Sequence, residues 1–254
     1  MIDPSTPPSL PHRLSWAVAE IVAIREETPR VKTLSLAVAD WAGHQAGQHV
    51  DIRLTAEDGY QAQRSYSISS PPEASHVELT VETIEDGEVS PYLTGEARIR
   101  DKFELRGPIG GYFVWSMQLA GPLVLIAGGS GIAPFMSMLR HRASGIHPDP
   151  AILVYSSRSF EDIICREELD AIGRHDPNLR VVHTLTRTQP TGWAGYRKRI
   201  DAAMLTEIGI AALEGANVFI CGPTGMVEGA AQALVGLGVD AGSIKTERFG
   251  PSGG

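Results

Sequence analysis

Apolar and polar residues alternate along the first half of the chain with the period of a β-strand. In the run GQHVDIRLT, Val50, Ile52 and Leu54 fall on one face and polar residues fall on the other. The run HVELTVETI repeats that alternation, and glycines and prolines separate the successive apolar runs. Short strands divided in this way predict an antiparallel β-barrel or sandwich for residues 16–118, with the barrel as the expected form, interrupted by one short helix at Ser90–Thr94 or slightly longer.

The second half of the chain, beyond Gly121 and Pro122, changes to apolar runs that alternate with helical patterns. Four of these runs are typical of buried strands, namely LVLIA, AILVYSSRS, LRVVHTLTR and NVFICGPTG. Strands that are apolar throughout, each followed by a helix, predict a doubly wound parallel α/β sheet for residues 119–254. Residues 1–15 are rich in proline and are expected to form a disordered or extended lead-in.

Composition narrows the possible classes of function. The chain has 254 residues, 43% of them hydrophobic, and a formal net charge of -8, which argues against a nucleic-acid partner. Cys165 and Cys221 are far apart, so a disulfide, a zinc site and an iron–sulfur cluster are not expected. The eight histidines show no metal-ligand spacing, and no apolar run is long enough to span a membrane. We therefore expect no bound metal and a reducing, cytoplasmic location.

The segment Arg64-Ser65-Tyr66-Ser67 places a cation, an aromatic ring and two hydroxyls on one predicted strand. Residues two apart share a face of a strand, so Arg64 and Tyr66 are expected on one side and Ser65 and Ser67 on the other. A guanidinium binds phosphate bidentately, a phenol ring lies flat on a planar heterocycle, and a hydroxyl reaches a ring nitrogen. The segment therefore predicts a site for a phosphorylated aromatic cofactor.

The run GGSGIAP, from Gly128 to Pro134, follows a predicted strand and opens a predicted helix. Glycines such as Gly129 and Gly131 let backbone N–H groups approach a pyrophosphate, and Pro134 suits the first turn of a helix. A tight turn without a ligand is the alternative, but the position at the first strand of a parallel sheet favours a dinucleotide. The spacing differs from G-x-G-x-x-G, so a variant dinucleotide-binding fold is expected.

Two further segments have both a structural and a ligand-binding interpretation, and the residues alone leave both open. Cys221-Gly222-Pro223 ends a predicted strand at the carboxyl edge of the sheet, where ligands bind, but free cysteines are often inert core residues. Gly87-Glu88-Val89-Ser90 offers backbone N–H groups and a hydroxyl to a second phosphate, although Ser90 also suits a helix N-cap.

Four arginines are candidates for binding an additional phosphate. Arg158 and Arg187 follow predicted strands, and Arg197 and Arg199 lie in the run GYRKRI. Solvated surface positions explain any one of them, whereas several together would meet the 2′-phosphate that distinguishes NADP from NAD. The residues alone favour neither interpretation.

The order of these motifs resembles the ferredoxin–NADP reductase family, over nearly the whole chain from Trp16 to Phe249. The resemblance implies that Arg64 binds flavin phosphate, that Tyr66 stacks on the isoalloxazine and that Ser67 hydrogen-bonds near N5. It implies Cys221 beside the nicotinamide and an aromatic shield for the flavin from the Glu247-Arg248-Phe249 ending. The expected FAD contacts are Arg64, Ser65, Tyr66, Ser67, Gly87, Val89, Ser90 and Phe249, and the expected NAD(P) contacts are Gly128, Gly129, Gly131, Pro134, Arg158, Arg187, Arg197, Arg199, Gly222 and Pro223.

This resemblance implies a flavin domain followed by an NAD(P) domain, with NADP(H) preferred over NAD(H) because WAGYRKRI is similar to the region that contacts the 2′-phosphate. It implies an oxidoreductase that moves hydride between NAD(P)H and FAD and single electrons to a separate redox protein such as a ferredoxin. Ser67, Cys221 and Glu247 are the expected catalytic positions. Two alternatives remain, a flavin or quinone reductase acting on small acceptors and a nucleotide-binding subunit without catalytic activity.

Overall fold

The first half of the chain forms an antiparallel barrel, as the alternating pattern predicts. The computed structural model describes residues 14–145 and 147–249, so almost all of the predicted lead-in, residues 1–13, lies outside the described residues. The barrel strands are β1 (Trp16–Thr28), β2 (Val31–Val38), β3 (His49–Thr55), β4 (Gln61–Ser67), β5 (Val77–Glu82) and β6 (Lys102–Ile109). They lie in the order β4-β3-β6-β1-β2-β5, and a bridge between Ile68 and Leu79 joins the two outer strands.

The barrel core contains the apolar residues that the period-two pattern selects. Val50 and Ile52 of β3 are fully buried, and Leu54 packs against the same core. Asp51 lies between them and faces the other way. It is also buried, and Ser65 and Arg106 each donate a hydrogen bond to its carboxylate at 2.6 Å. A buried carboxylate needs such partners, and they hold the pKa of Asp51 below its usual value.

The helix expected at Ser90–Thr94 is a single π-helical turn at Tyr92–Glu96. Ser90 and Pro91 are also helical and lead into this turn, so the helical segment covers the predicted residues and extends to Glu96. Pro91 fits there because the first residues of a helix need no intrahelical partner for the N–H group. The hydroxyl of Thr94 donates to the Ser90 carbonyl at 2.7 Å and fixes this turn to the preceding loop.

The second half is a parallel sheet with helices on both faces, which confirms the predicted doubly wound architecture. Its strands are β7 (Leu123–Gly128), β8 (Ala151–Ser157), β9 (Leu179–Leu185), β10 (Asn217–Pro223) and β11 (Ile244–Phe249), in the order β11-β10-β7-β8-β9. The helices are α1 (Ala133–Ala143), α2 (Arg166–His175), α3 (Ala202–Ile208) and α4 (Thr224–Gly236). Successive residues of β7 alternate between two cores, with Leu125 facing α1 and Ile126 facing the side of α3 and α4.

Strand β11 is missing from the sequence-based prediction, and it carries two of the predicted site residues. Its sequence, IKTERF, lacks an apolar run, and most of its residues are only half-buried. It is nevertheless paired along its whole length with β10, from Val218–Ile244 to Pro223–Phe249. This edge strand brings the end of the described chain to the carboxyl edge of the sheet.

Candidate functional site

The predicted flavin segment lies at the end of β4. Arg64 and Tyr66 pair with Ile52 and Val50 of β3, and the Arg64 side chain is 55% exposed. The Tyr66 ring packs against the barrel core, and burial raises the pKa of its phenol, so the ring stays neutral. An exposed guanidinium beside an anchored neutral ring fits a phosphorylated aromatic cofactor.

Ser65 and Ser67 differ in what their hydroxyls can reach. The Ser65 hydroxyl donates to Asp51 at 2.6 Å, so it points away from Arg64 and Tyr66 as the strand period predicts. Ser67 is the last residue of β4 and is 5% exposed. Of the two, only Ser67 keeps its hydroxyl free of a side-chain partner among the described residues, whereas the proton of the Ser65 hydroxyl is already donated to Asp51.

The loop from Gly87 to Ser90 lies beside Arg64, so the structure brings the two predicted phosphate-binding segments together. Ser90 accepts a hydrogen bond from the Ile84 N–H at 3.1 Å, which folds the loop, and Val89 is fully buried. Glu88 connects the segments, because it lies 3.4 Å from the Arg64 guanidinium. Its other carboxylate oxygen accepts from the Tyr60 hydroxyl at 2.5 Å.

The glycine-rich turn after β7 has the close backbone packing that its sequence requires. Gly129 adopts φ +55°, and a 3₁₀ turn at Gly129–Ile132 leads directly into α1, with Pro134 in its first turn. A Cβ atom at Gly131 would lie 2.2 Å from the Cys221 carbonyl oxygen. The buried Tyr155 donates from its hydroxyl to the Gly129 carbonyl at 3.0 Å and so supports the turn from below. The GGSGIAP turn and the Cys221-Gly222-Pro223 segment are therefore one packed unit.

The C-terminal strand completes this unit with Glu247 and Phe249. Cys221 pairs with Glu247, and Pro223 pairs with Phe249, across β10 and β11. Cys221 is fully buried, and burial raises the pKa of its thiol, so the sulfur stays protonated and is not a nucleophile. Burial also raises the pKa of Glu247 to about 7. The site therefore holds one neutral thiol and one carboxyl group that titrates near neutral pH.

A cleft of about 850 Å³ runs between the barrel and the parallel sheet. Gly128, Gly129, Pro223 and Phe249 line it on one side, and Arg30 and Glu82 line it from the barrel. Its walls do not include Arg64, Tyr66 or Ser67, so the predicted dinucleotide and flavin segments occupy adjoining surfaces. The volume is ample for a dinucleotide, since ordinary ligand pockets range from about 300 to 1,000 Å³.

The four candidate arginines divide into two groups. Arg158, Arg187 and Arg199 line the cleft. Arg197 is not part of the cleft wall, and its guanidinium donates to the Trp193 carbonyl at 2.9 Å. Arg158 and Arg187 are neighbours in the fold, because the Arg187 N–H donates to the Arg158 carbonyl at 2.9 Å. The same cleft is also lined by Glu82, Glu85, Asp86 and Asp162, so its lining carries both signs of charge.

Sequence reasoning missed several residues of this site. Tyr155 and Arg30 carry no local motif, because the fold alone brings them to the turn and the cleft. Glu88 had a signal, since an acidic residue in the middle of a predicted phosphate loop is electrostatically unexpected.

Clusters of metal-ligating side chains and helices able to span a membrane are both absent from the described residues. Across residues 14–145 and 147–249, no three His, Cys, Asp or Glu side chains are grouped as metal ligands would be. No helix within these same ranges has the length and apolar character that crossing a membrane requires.

Comparison with known proteins shows the family to which the chain belongs. The oxidoreductase FAD-binding domain model matches residues 18–114, and the oxidoreductase NAD-binding domain model matches residues 125–232. NADH-cytochrome b5 reductase 1 of Aspergillus terreus is 31% identical over 207 residues, which cover 78% of this chain and 69% of that protein. The chain belongs to the ferredoxin–NADP reductase family. It is an FAD-dependent NAD(P)H oxidoreductase.

The chain is also similar to a further relative and to solved structures. The ferredoxin–NAD(P)(+) reductase component of the naphthalene 1,2-dioxygenase/salicylate 5-hydroxylase systems of a Ralstonia species is 28% identical over 233 residues, 92% of this chain and 69% of that protein. Among solved structures, the FAD/NAD-binding domain of nitric oxide dioxygenase from Vibrio cholerae has a TM-score of 0.83 at 24% identity, covering 92% of this chain and 99% of that one. The ferredoxin NADP+ reductase of Neisseria gonorrhoeae has a TM-score of 0.78 at 24% identity, covering 92% and 98%. The two structures show that the fold is shared.

Proposed function

We propose that this reductase transfers hydride from NAD(P)H to FAD and passes the two electrons, one at a time, to a separate redox protein such as a ferredoxin. The observation that carries the proposal is the packed unit of the glycine-rich turn, Cys221, Glu247 and Phe249 beside the cleft. Hydride transfer requires face-to-face placement of two planar rings more than it requires a strong acid or base. The unit supplies tightly packed backbone at the glycine-rich turn, the aromatic ring of Phe249 and the carboxyl group of Glu247.

The residues that would hold FAD are those of β4, the 87–90 loop and the last strand. Arg64 supplies the cation for phosphate, Tyr66 the stacking ring, and Ser67 a hydroxyl at the strand end. Gly87, Val89 and Ser90 supply loop backbone groups, Ser65 supplies its backbone, and Phe249, which lines the adjoining cleft, is the proposed aromatic shield. When bound, FAD supplies the exchange between a two-electron donor and one-electron acceptors.

The residues that would hold the coenzyme line the sheet's carboxyl edge. Gly128, Gly129 and Gly131 present the backbone of the turn to a pyrophosphate, and Pro134 lies in the first turn of the helix behind them. Gly222 and Pro223 pack against Gly128 on the same side of the cleft, next to Cys221. We propose that Cys221 packs behind the nicotinamide site and takes no part as a nucleophile, because its thiol is buried and neutral.

We propose a preference for NADP(H) over NAD(H) on the basis of the three arginines in the cleft. Arg158, Arg187 and Arg199 supply three guanidinium groups to this part of an acidic protein, in a cleft that is also lined by carboxylates. A 2′-phosphate needs such cations, whereas a free ribose hydroxyl does not. Arg197 is a weaker candidate, because its guanidinium is already bonded to the Trp193 carbonyl.

We further propose that the division between the FAD domain, residues 16–118, and the NAD(P) domain, residues 119–254, falls in the segment between β6 and β7. The two family matches end at residue 114 and begin at residue 125, on either side of that division.

We also propose a cytoplasmic location, which is supported by the free, buried state of Cys165 and Cys221, since disulfides are rare in reducing compartments.

The proposed protein acceptor is tested by steady-state oxidation of NADPH. The expected result is rapid turnover with a purified plant-type ferredoxin coupled to cytochrome c, and slower turnover with free FMN or menadione. Cytochrome b5 serves as a second protein acceptor, because relatives include reductases named for it. Fast turnover with free flavin or quinone and none with either protein would instead support a reductase of small acceptors.

A further inference from the structure

Helix α1 contacts both halves of the reductase. Its first residue, Ala133, directly follows the 3₁₀ turn at Gly129–Ile132, so the helix continues the glycine-rich turn without a break. Ser137 and Arg140 lie one helical turn apart on α1 and therefore share a face. Both side chains bond the backbone of Ser69 and Ser70, which follow Ser67 by two and three residues.

Ser137 makes a buried hydrogen bond across the interface between helix α1 and the barrel segment that follows β4. Its hydroxyl donates to the Ser70 carbonyl at 2.7 Å, and both residues are fully buried. The His44 ring nitrogen lies 3.0 Å from the same carbonyl. The Ser70 hydroxyl in turn accepts from the Glu78 N–H at 3.0 Å, which ties the segment to β5. The position of the Ser70 carbonyl is therefore fixed from three directions.

Arg140 joins three separate elements through one guanidinium that is 11% exposed. Nη1 donates to the Ser69 carbonyl at 2.7 Å and to Glu78 of β5 at 2.8 Å. Nε and Nη2 donate to the two carboxylate oxygens of Glu168 on α2, each at 2.7 Å. Because the planar guanidinium is hydrogen-bonded on both of its edges, it fixes the relative orientation of these elements as well as the distances between them. A buried ion pair of this kind adds little net stability but fixes geometry.

We propose that Ser137 and Arg140 are positioning residues for hydride transfer. They fix α1, and with it the coenzyme turn, against the strand end that presents Tyr66 and Ser67. This inference rests on the proposed function, in which the coenzyme lies on the turn and the flavin lies on β4. Because transfer between two rings falls steeply with misplacement, a small shift of α1 slows the step without weakening either binding site.

The same helix offers a matched control in Arg142. Arg142 is 1% exposed and is paired with a carboxylate, as Arg140 is, but its partners are Asp176 at 2.7 Å and the Asp149 carbonyl at 2.7 Å. These partners all belong to the C-terminal half of the chain. Replacing Arg142 perturbs the helix and its stability but leaves the bonds to Ser69 and Ser70 in place.

The test compares FAD-loaded Ser137→Ala, Arg140→Lys and Arg142→Lys in anaerobic single-turnover reduction by NADPH. Ser137→Ala and Arg140→Lys are expected to reduce about fivefold or more slowly, with a weaker nicotinamide–flavin charge-transfer absorbance and unchanged dissociation constants for FAD and NADPH. Arg142→Lys is expected to reduce at the wild-type rate even if its melting temperature falls. Equal rates in all three variants, or slowing that follows the melting temperature alone, would overturn the inference.

Amide hydrogen exchange on the same variants separates this inference from the proposed function. Residues 68–70 and 133–140 are expected to exchange faster in Ser137→Ala and Arg140→Lys than in Arg142→Lys. If the wild-type flavin is not reduced by NADPH or NADH, the proposed function fails, and the exchange result still decides whether these two residues fix the interface. Unchanged exchange in both interface variants would refute the positioning role directly.

Discussion

Cys221 and Glu247 lie side by side in the parallel sheet, as register partners on β10 and β11. The thiol is buried and stays protonated, whereas the carboxyl group has a pKa of about 7. Desolvation causes both effects, because it disfavours the charged form of each group. The pair therefore gives the carboxyl edge of the sheet one polar contact that does not titrate and one that titrates near neutral pH.

Replacing Glu247 by Gln is expected to slow flavin reduction by roughly tenfold and to remove its pH dependence near pH 7. Gln keeps the shape of the side chain but neither gains nor loses a proton. Stopped-flow reduction by NADPH between pH 5.5 and 8.5, with FAD binding measured in parallel, checks this expectation. A Glu247→Gln protein that reduces at the wild-type rate over that range would remove Glu247 from the proposed mechanism.

The same substitution is expected to change the pH dependence of stability. The folded protein holds the Glu247 proton up to about pH 7, whereas an unfolded glutamate loses it near 4.5, so the native state binds more protons in between. Stability from this group is therefore complete below the lower value and is lost as the pH rises through about 7. Urea unfolding at pH 4.5 and pH 7.5 should show the Gln variant gaining stability relative to wild type at the higher pH.

Arg64→Ala is expected to weaken FAD binding by about tenfold or more, because a charge-assisted bond to phosphate is worth roughly 1.5–3 kcal/mol. Glu88→Gln is the matched variant, and it is expected to tighten FAD binding a few-fold, since it removes the carboxylate that lies 3.4 Å from Arg64. Quenching of flavin fluorescence on titration of each protein measures both constants. Equal affinities in wild type and Arg64→Ala would contradict the phosphate role.

Gly131→Ala is expected to destabilise the protein by roughly 1–3 kcal/mol and to reduce coenzyme affinity, because the added Cβ meets the Cys221 carbonyl. Gly236→Ala is its control, since a Cβ there meets nothing within 4 Å and alanine favours the helix. Thermal unfolding and NADPH titration of the two variants give the comparison. A Gly131→Ala protein as stable as Gly236→Ala would show that the turn is less tightly packed than described.

Coenzyme preference is expected to depend on Arg187 and Arg199 and not on Arg197. Replacing either of the first two by Ala should raise KM for NADPH about tenfold and leave KM for NADH nearly unchanged, because only NADPH carries the 2′-phosphate. Arg197→Ala should leave both values near those of wild type, since its guanidinium faces the Trp193 carbonyl. Steady-state kinetics with both coenzymes measure the ratio, and an equal rise for NADH would indicate loss of shape rather than loss of phosphate binding.

Local patterns in the sequence predict the two architectures and the segments from which the candidate site is proposed. The period-two alternation of Val50 and Ile52 places the barrel core, and the apolar runs from Leu123 onwards place the parallel sheet. Glycine turns are readable because backbone approach excludes side chains, as Gly131 shows. Each of these signals lies within a few residues along the chain.

The features that the sequence does not predict depend on contacts between distant residues. Strand β11 is half-buried and mixed in polarity, so its pairing with β10 has no local pattern. The bonds of Arg140 to Ser69 and Glu78 join positions more than sixty residues apart. Partners at that distance are chosen by the packing of two domains, which periodicity alone does not reveal.

The most direct test of the proposed hydride transfer is an anaerobic visible spectrum of the FAD-loaded protein titrated with NADPH and, in a separate sample, with NADH. The predicted result is a flavin spectrum that bleaches with about one equivalent of NADPH and needs more NADH for the same loss of absorbance. A protein that fails to take up FAD would contradict the roles of Arg64, Tyr66 and Ser67. A protein that holds FAD but is bleached by neither coenzyme would contradict the proposed hydride transfer.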